Sequence, residues 1–505
     1  MKTIHKKNTT FLNLAAAALM IAALVLGCKP NVSNGGEVQP PTPPVYTSVA
    51  YADLRNYLTT AQPASDGIYY IEVTDLTARE VEGGLYGASP LGRILEENET
   101  KKVALKFGTM PNVTDMTGCF YGCTSLVQVS NIPDSITNMR SCFRDCTSLK
   151  SVPNIPNSVT NMEMCFYGCT SLTSVSNIPN SVKNMKECFE GCTSLTSVPN
   201  IPDGVTNMYE CFKDCTSLTS VPNIPDGVTD MSYCFYGCTS LTSVPNIPDG
   251  VTNMERCFYG CIKLERVPNI PDGVTNMYEC FYGCTSLTSV PNIPDGVTDM
   301  SYCFYGCTSL TSVPNIPDGV TNMKECFKGC TSLTSVPNIP DGVTDMEKCF
   351  YGCTSLTSVS NIPNSVKYMS NFFEGCISLV QVPNIPDGVT DMEKCFYGCT
   401  SLTSVSNIPN SVKNMSYCFA GCKSLTSVPN IPDGATYMGY CFAGCTSLTS
   451  VTLKCEYLDG KFDYAFSGCS SLSADSIKVP ADSLDDYKDN AGKMGAEAEW
   501  FAKDE

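Results

Sequence analysis

The residues best suited to chemistry are cysteines in pairs. The stretch CFYGC at 234–238 recurs at 257–261, 280–284 and 303–307, each time with two thiols four residues apart. Such a pair fits a disulfide, half of a metal site, an activated nucleophile or an apolar core position. A nucleophilic thiolate needs a cation or a base beside it to lower its pKa, and none recurs next to these cysteines. A metal would need two coils to pool thiolates, because Cys-x3-Cys supplies only two ligands. The one histidine, His5, stands near the N-terminus, so His-based nucleophilic and metal centres are excluded from the rest of the chain. No enzyme, cofactor or metal is expected.

Disulfide and buried thiol remain. Side chains four apart on a helix have Cβ atoms about 5–6 Å apart, whereas a disulfide wants about 3.5–4.5 Å. The chain also contains its own comparison. Phe372 and Ala465 replace the first cysteine of two units, yet Cys376 and Cys469 stay. A bonded pair tends to lose both members, so the first slot reads as an apolar core position. Export favours disulfides, so oxidation in some repeats stays open.

The elements that position these residues follow from a strict period. The second cysteine falls at 123, 146, 169, 192, 215, 238 and onward to 445 in steps of 23, with a last copy at Cys469. The consensus VTNMxxCFYGCTSLTSVPNIPDG runs through sixteen tandem units over 113–472. In one unit Met231, Cys234, Phe235 and Cys238 fall at i, i+3, i+4 and i+7, which predicts a short helix with Asp230 capping its start and Gly237 ending it. TSLTSV at 239–244 predicts a short strand; Pro245 and Pro248 stop it, and Asp249-Gly250 turns the chain. A single unit cannot bury its apolar side, but stacked copies can. The fold class is therefore a solenoid of α/β repeats. Residues 49–112 and 473–505 are expected to cap its two ends. The N-terminal cap should hold helices at 51–60 and 91–97 with strands at 68–73 and 101–107, and Trp500 should cover the last coil.

With its IPDG or IPNS turns, the consensus resembles the BspA-like leucine-rich repeats of bacterial surface proteins. It departs from them in carrying Cys where Ala or Met is usual and in a Leu-x-x-Val-x-x-Ile spacing one residue longer than that of ordinary leucine-rich repeats. The tail at 477–505 resembles the family's closing segment. The resemblance implies a right-handed curved solenoid that binds proteins or glycans at a cell surface.

The N-terminus reads as an address. Lys2, Lys6 and Lys7 precede the apolar run Phe11–Gly27, which is short for a span of about 20 residues. Val25-Leu26-Gly27-Cys28 resembles a bacterial lipobox, which implies cleavage after residue 27 and lipidation of Cys28. Residues 28–48 are rich in Pro, Gly, Asn and Ser and read as a tether. The expected location is the bacterial envelope, through lipid in the outer membrane and facing outward. Loss of the three signal lysines takes the formal charge from −18 to −21. Such an acidic chain lacks the basic patch that nucleic acid needs.

A binding role would fall to residues that vary between units. Tyr236, Tyr259, Tyr282 and Tyr305 occupy one position in four consecutive coils. Stacked coils would align them about 5 Å apart, as a stripe for a surface protein or glycan of host or microbe, or as rings that merely shield one another. The function expected is adhesion by a lipid-anchored binding protein. The alternative is an envelope scaffold without a dedicated ligand.

Overall fold

The structure, a computed structural model, describes residues 43–504; the signal, Cys28 and nearly all of the expected tether lie outside them. Chain order begins with β1 (Thr47–Ala50), α1 (Leu54–Thr60), β2 (Ile68–Thr74), α2 (Ala78–Val81), α3 (Pro90–Glu96) and β3 (Lys102–Phe107). These three strands and β4 (Leu126–Val129) form one parallel sheet in sequential order. Ile71 pairs with Leu105, and Leu105 with Val129. The N-terminal cap is thus built of wider coils in register with the first repeat. β1 starts at Thr47, two residues before the expected cap boundary, because Thr47 already pairs with Ile71.

The repeats follow with almost no regular secondary structure. The segment expected as a helix is a string of three-residue turns. Tyr233 and Gly237 have φ of 56° and 70°, and two left-handed residues four apart cannot belong to an α-helix. Within the coil Cys234, Tyr236 and Cys238 donate their N–H to the carbonyls of Met231, Tyr233 and Phe235, each at 3.1 Å. The residues between them donate onward. Met231, Tyr233, Phe235 and Gly237 reach Asn253, Glu255, Cys257 and Tyr259 of the next coil at 2.7–2.9 Å. Every second amide therefore holds the turn, and every other one holds the neighbour, so the backbone polar groups are met without a helix. Asp230 does cap the segment: its Oδ1 accepts from Ser232 N–H at 2.8 Å.

The leucine segment is likewise no ladder strand in most coils; among the described residues strands recur only at the ends, as β4 and β5 (Val451–Thr452). Between coils it keeps single backbone bonds such as Thr242 N–H to Thr219 O, 3.1 Å. Side chains supply the rest. Thr239 and Thr242 Oγ1 donate to the carbonyls of Thr216 and Thr219 at 3.3 Å. The amide of Asn269 accepts from Ile247 N–H and donates to Ile247 O, both at 2.8 Å, standing in for a peptide group beside the prolines.

Met231, Cys234, Phe235, Cys238 and Leu241 are fully buried, as are their counterparts in coil after coil. Phe235, Phe258 and Phe281 stack at 5.7 and 5.6 Å. The described cysteines are free thiols, all buried. The second cysteine of each coil donates to the phenylalanine carbonyl of the preceding one, as Cys238 Sγ does to Phe212 O at 3.0 Å; the contact repeats from Cys146 to Cys469. In the exceptional coil Phe372 fits the first slot edge-on to Phe350 and Phe373.

The chain closes with β6 (Ile477–Val479), α4 (Leu484–Asp489) and β7 (Phe501–Lys503), the strands pairing in the order β5-β6-β7. The buried plug over the last coil is Tyr487, and Trp500 packs against the same core from further out. Tyr487 is fully buried, its hydroxyl donating to Cys455 O at 3.1 Å, whereas Trp500 is only partly buried. The helix turn points Tyr487 inward between Phe462 and Phe501.

Candidate functional site

The alternating onward hydrogen bonds fix each side chain directly against its equivalent 23 residues away. This makes the outer surface a set of columns, and the expected stripe is one of them. Tyr236, Tyr259, Tyr282 and Tyr305 stack with ring centroids 4.5, 4.4 and 4.4 Å apart and planes within 9° of parallel. All four are half-buried. The structure brings the four together, but their faces cover one another. Only ring edges and hydroxyls face outward. Burial, followed by the neighbouring Tyr305 and Tyr259 hydroxyls, pushes the Tyr282 phenol up.

Cations continue the same column. Lys328 Nζ lies 5.2 Å from the rings of both Tyr305 and Tyr351. Nearer the N-terminus Arg144 is held between Tyr121 and Tyr167, at 5.5 and 4.2 Å. These are cation–π contacts, favourable at about 0.5–2 kcal/mol. Sequence reading missed them, although the order Tyr121–Arg144–Tyr167 at 23-residue steps carries the signal.

Where the column turns small the surface opens. Ala420 and Ala443 leave a notch of about 390 Å³ bounded by Tyr397, Tyr417, Tyr440 and Lys423. Its walls are mostly apolar, and Tyr397 is 42% exposed.

Charge gathers at one point of the columns. Carboxylate oxygens of Glu187, Glu190 and Glu210 lie within 4.8 Å of one another. The cation among them is the protein's own: Lys213 Nζ sits 3.0 Å from Glu190 and 3.2 Å from Glu210. Glu190 is buried, one of its oxygens lacks a hydrogen-bond partner, and burial lifts its carboxyl to about 7. Lys213 is held well above its usual value by these two carboxylates against the opposing effect of desolvation.

The thiols offer no reactivity in this setting. Burial pushes Cys353 and Cys469 up to about 12, and the other repeat cysteines are raised for the same reason. A thiol this far from ionisation is neither nucleophile nor ready ligand. Among the described residues no helix is long and apolar enough to cross a membrane.

Comparison with known proteins gives a consistent result. The model of the BspA type leucine rich repeat region matches residues 114–232, 209–324, 277–403 and 392–491. A leucine-rich repeat protein from Bacteroides ovatus is 26% identical, with 80% of this chain and 92% of that chain covered and a TM-score of 0.50. A leucine rich cell surface protein from Faecalibacterium prausnitzii is also 26% identical, over 63% of this chain and 82% of that one, with a TM-score of 0.40. No curated protein matches.

Proposed function

Because this chain belongs to the BspA-type leucine-rich repeat family, we propose that it is a non-catalytic binding protein displayed at a bacterial surface. Cys28 would carry the lipid and residues 28–48 the tether, with the outer membrane as the anchoring layer. Its ligand class is a protein or glycan on a host or microbial surface.

The observation that supports this reading is the contrast between inside and outside. Met231, Cys234, Phe235, Cys238 and Leu241 recur almost unchanged and are buried. Positions that differ between coils, such as Tyr233, Arg256, Glu279 and Tyr302, or Tyr305, Lys328 and Ala420, are mostly half-buried and stand in columns outside this core. Variation gathered outside the invariant core suits recognition, and raised thiol pKa values argue against chemistry in the core. The tyrosine stripe, if it contacts a glycan, does so through its hydroxyl row, because its ring faces are shared.

Two experiments test the reading. Protease is added to intact cells, and the protein is followed by immunoblot beside a periplasmic control. Loss of this protein while the control survives supports display; protection until the outer membrane is opened favours the envelope scaffold. Full mature chain is then applied to coated matrix proteins, mucin and a glycan array. Attachment is expected, and its absence from every surface overturns the binding role. Changing Tyr236, Tyr259, Tyr282 and Tyr305 together to Phe keeps the stack and removes the hydroxyls. Unchanged attachment by that variant removes the stripe from the site.

A further inference from the structure

The leucine segment is the most uniform part of the exterior. It reads TSLTSV at 170–175, 193–198, 216–221, 239–244, 285–290, 308–313, 331–336, 354–359 and 400–405. Two coils break it. At 262–267 it reads IKLERV, and at 377–382 it reads ISLVQV. The inward Leu264, Val267, Leu379 and Val382 are kept and buried, so the core does not ask for the change.

The change has a local cost. In the TSLTSV coils the two threonines donate Oγ1 to the preceding coil at 3.1–3.5 Å. Ile262, Glu265, Ile377 and Val380 have no hydroxyl to do so. The replacements gain nothing inside the molecule. Lys263, Glu265 and Arg266 are exposed, and none forms an ion pair among the described residues. Ile262, Ile377 and Val380 are 43%, 46% and 45% exposed. A repeat that abandons its own local rule without an internal gain marks a functional position.

The chemistry of the two islands is complementary to a particular surface. Lys263 and Arg266 are unpaired cations on a chain of net charge −18. Beside Arg266 lies a groove of about 390 Å³, floored by Ser286, Thr288, Ser289 and Ser309, with Glu265 on its rim. Arginine is enriched at the energetic centres of protein interfaces, where a carboxylate takes the guanidinium as a fork. Exposed Ile and Val offer nothing to a sugar's hydroxyls. The islands stand five coils apart, about 24 Å at the usual strand spacing, which lies within the footprint of a standard interface of roughly 800 Å² per partner.

We propose that the leucine-segment face between these coils docks a protein that presents a carboxylate to Lys263 and Arg266 and apolar side chains to Ile262, Ile377 and Val380. This rests on the surface-binding reading and names the kind of partner and where it sits.

The test restores the consensus. One variant of the full mature chain carries I262T, K263S, E265T, R266S, I377T, V380T and Q381S. It rebuilds the threonine ladder, so its melting temperature is expected to equal or exceed that of the wild type, and lost binding cannot be blamed on unfolding. A random twelve-residue peptide display library is panned on the wild type. Enriched peptides should pair Asp or Glu with Ile, Leu or Phe. They should bind the wild type at least tenfold more tightly than the restored variant, and less tightly as salt rises. Peptides that bind both proteins alike, that lack acids, or that fail to enrich at all overturn the proposal. Discriminating peptides together with no attachment to any coated surface would instead reject the attachment role and uphold this docking face.

Discussion

Cys238 donates its thiol hydrogen to the carbonyl oxygen of Phe212, 3.0 Å away in the preceding coil. That oxygen also accepts the N–H of Cys215 at 3.1 Å. The thiol is therefore a second clip on a carbonyl already engaged in its own turn. Cys234, three residues after Met231, is equally buried, but its thiol makes no such donation to a carbonyl among the described residues.

The two cysteines should respond differently to serine. Cys234→Ser buries a hydroxyl in an apolar slot and should cost about 1–3 kcal/mol. Cys238→Ser keeps a donor for Phe212 O and should cost less. Urea midpoints of the two variants check this; equal losses would show that the sulfur contact carries no weight.

Thiol counting gives a second expectation. In native protein, alkylating reagent should modify few repeat cysteines, because burial raises them and shields them from reagent. After denaturation without reductant, mass shifts should count 31 thiols, the 32 of the chain less Cys28, the proposed lipid site. A lower count would reveal disulfides.

The left-handed glycine column predicts a graded response. Gly260 has φ of 70°, and alanine there is strained by about 1–2 kcal/mol. Asp145 and Asp214 occupy the same column at φ of 58° and 56°. Gly260→Asp should therefore be milder than Gly260→Ala in thermal melts.

Glu190 predicts a pH dependence. Its folded value of about 7 stands above the ordinary carboxylate value of 4.5, so between these limits the folded state holds the proton that the unfolded state has lost. Stability from this group is present at low pH and falls as pH rises through that window. Lys213 is charged throughout it in both states and adds no slope. Glu190→Gln should flatten the fall, gaining on the wild type by on the order of 1–3 kcal/mol from pH 5 to 8. Parallel melting curves of the two proteins across that range would reject the assignment.

The core was legible because burial has one signature in a repeat: Met231, Phe235 and Leu241 return every 23 residues and all point inward. The cap helices at 54–60 and 90–96 lie within or beside their expected spans for the same reason. The repeat helix was not separable from what replaced it. Consecutive three-residue turns also bury i, i+3, i+4 and i+7, and the left-handed column is filled by Ser141, Met164, Glu187 and Arg256, none of which announces a positive φ. The leucine strand failed through its prolines, whose missing N–H groups passed pairing to Asn269 and the threonines. In the stripe the alignment of Tyr259 and Tyr282 was readable, and rings that shield one another were one of the two arrangements expected; the choice between them rests on a centroid spacing of 4.4 Å rather than on residue type.

The onward hydrogen bonds of Met231, Tyr233, Phe235 and Gly237 have a bearing on heredity. Each unit offers its successor the same row of donors and takes the same row of carbonyls. Excising one unit, for example residues 285–307, joins two surfaces that already match, and duplicating one creates no new junction. Unequal recombination within the gene can therefore change copy number in steps of 23 residues while every product still folds. Any such event between Arg266 and Ile377 alters the distance between the two islands, so the same mechanism that preserves the solenoid would retune what it holds.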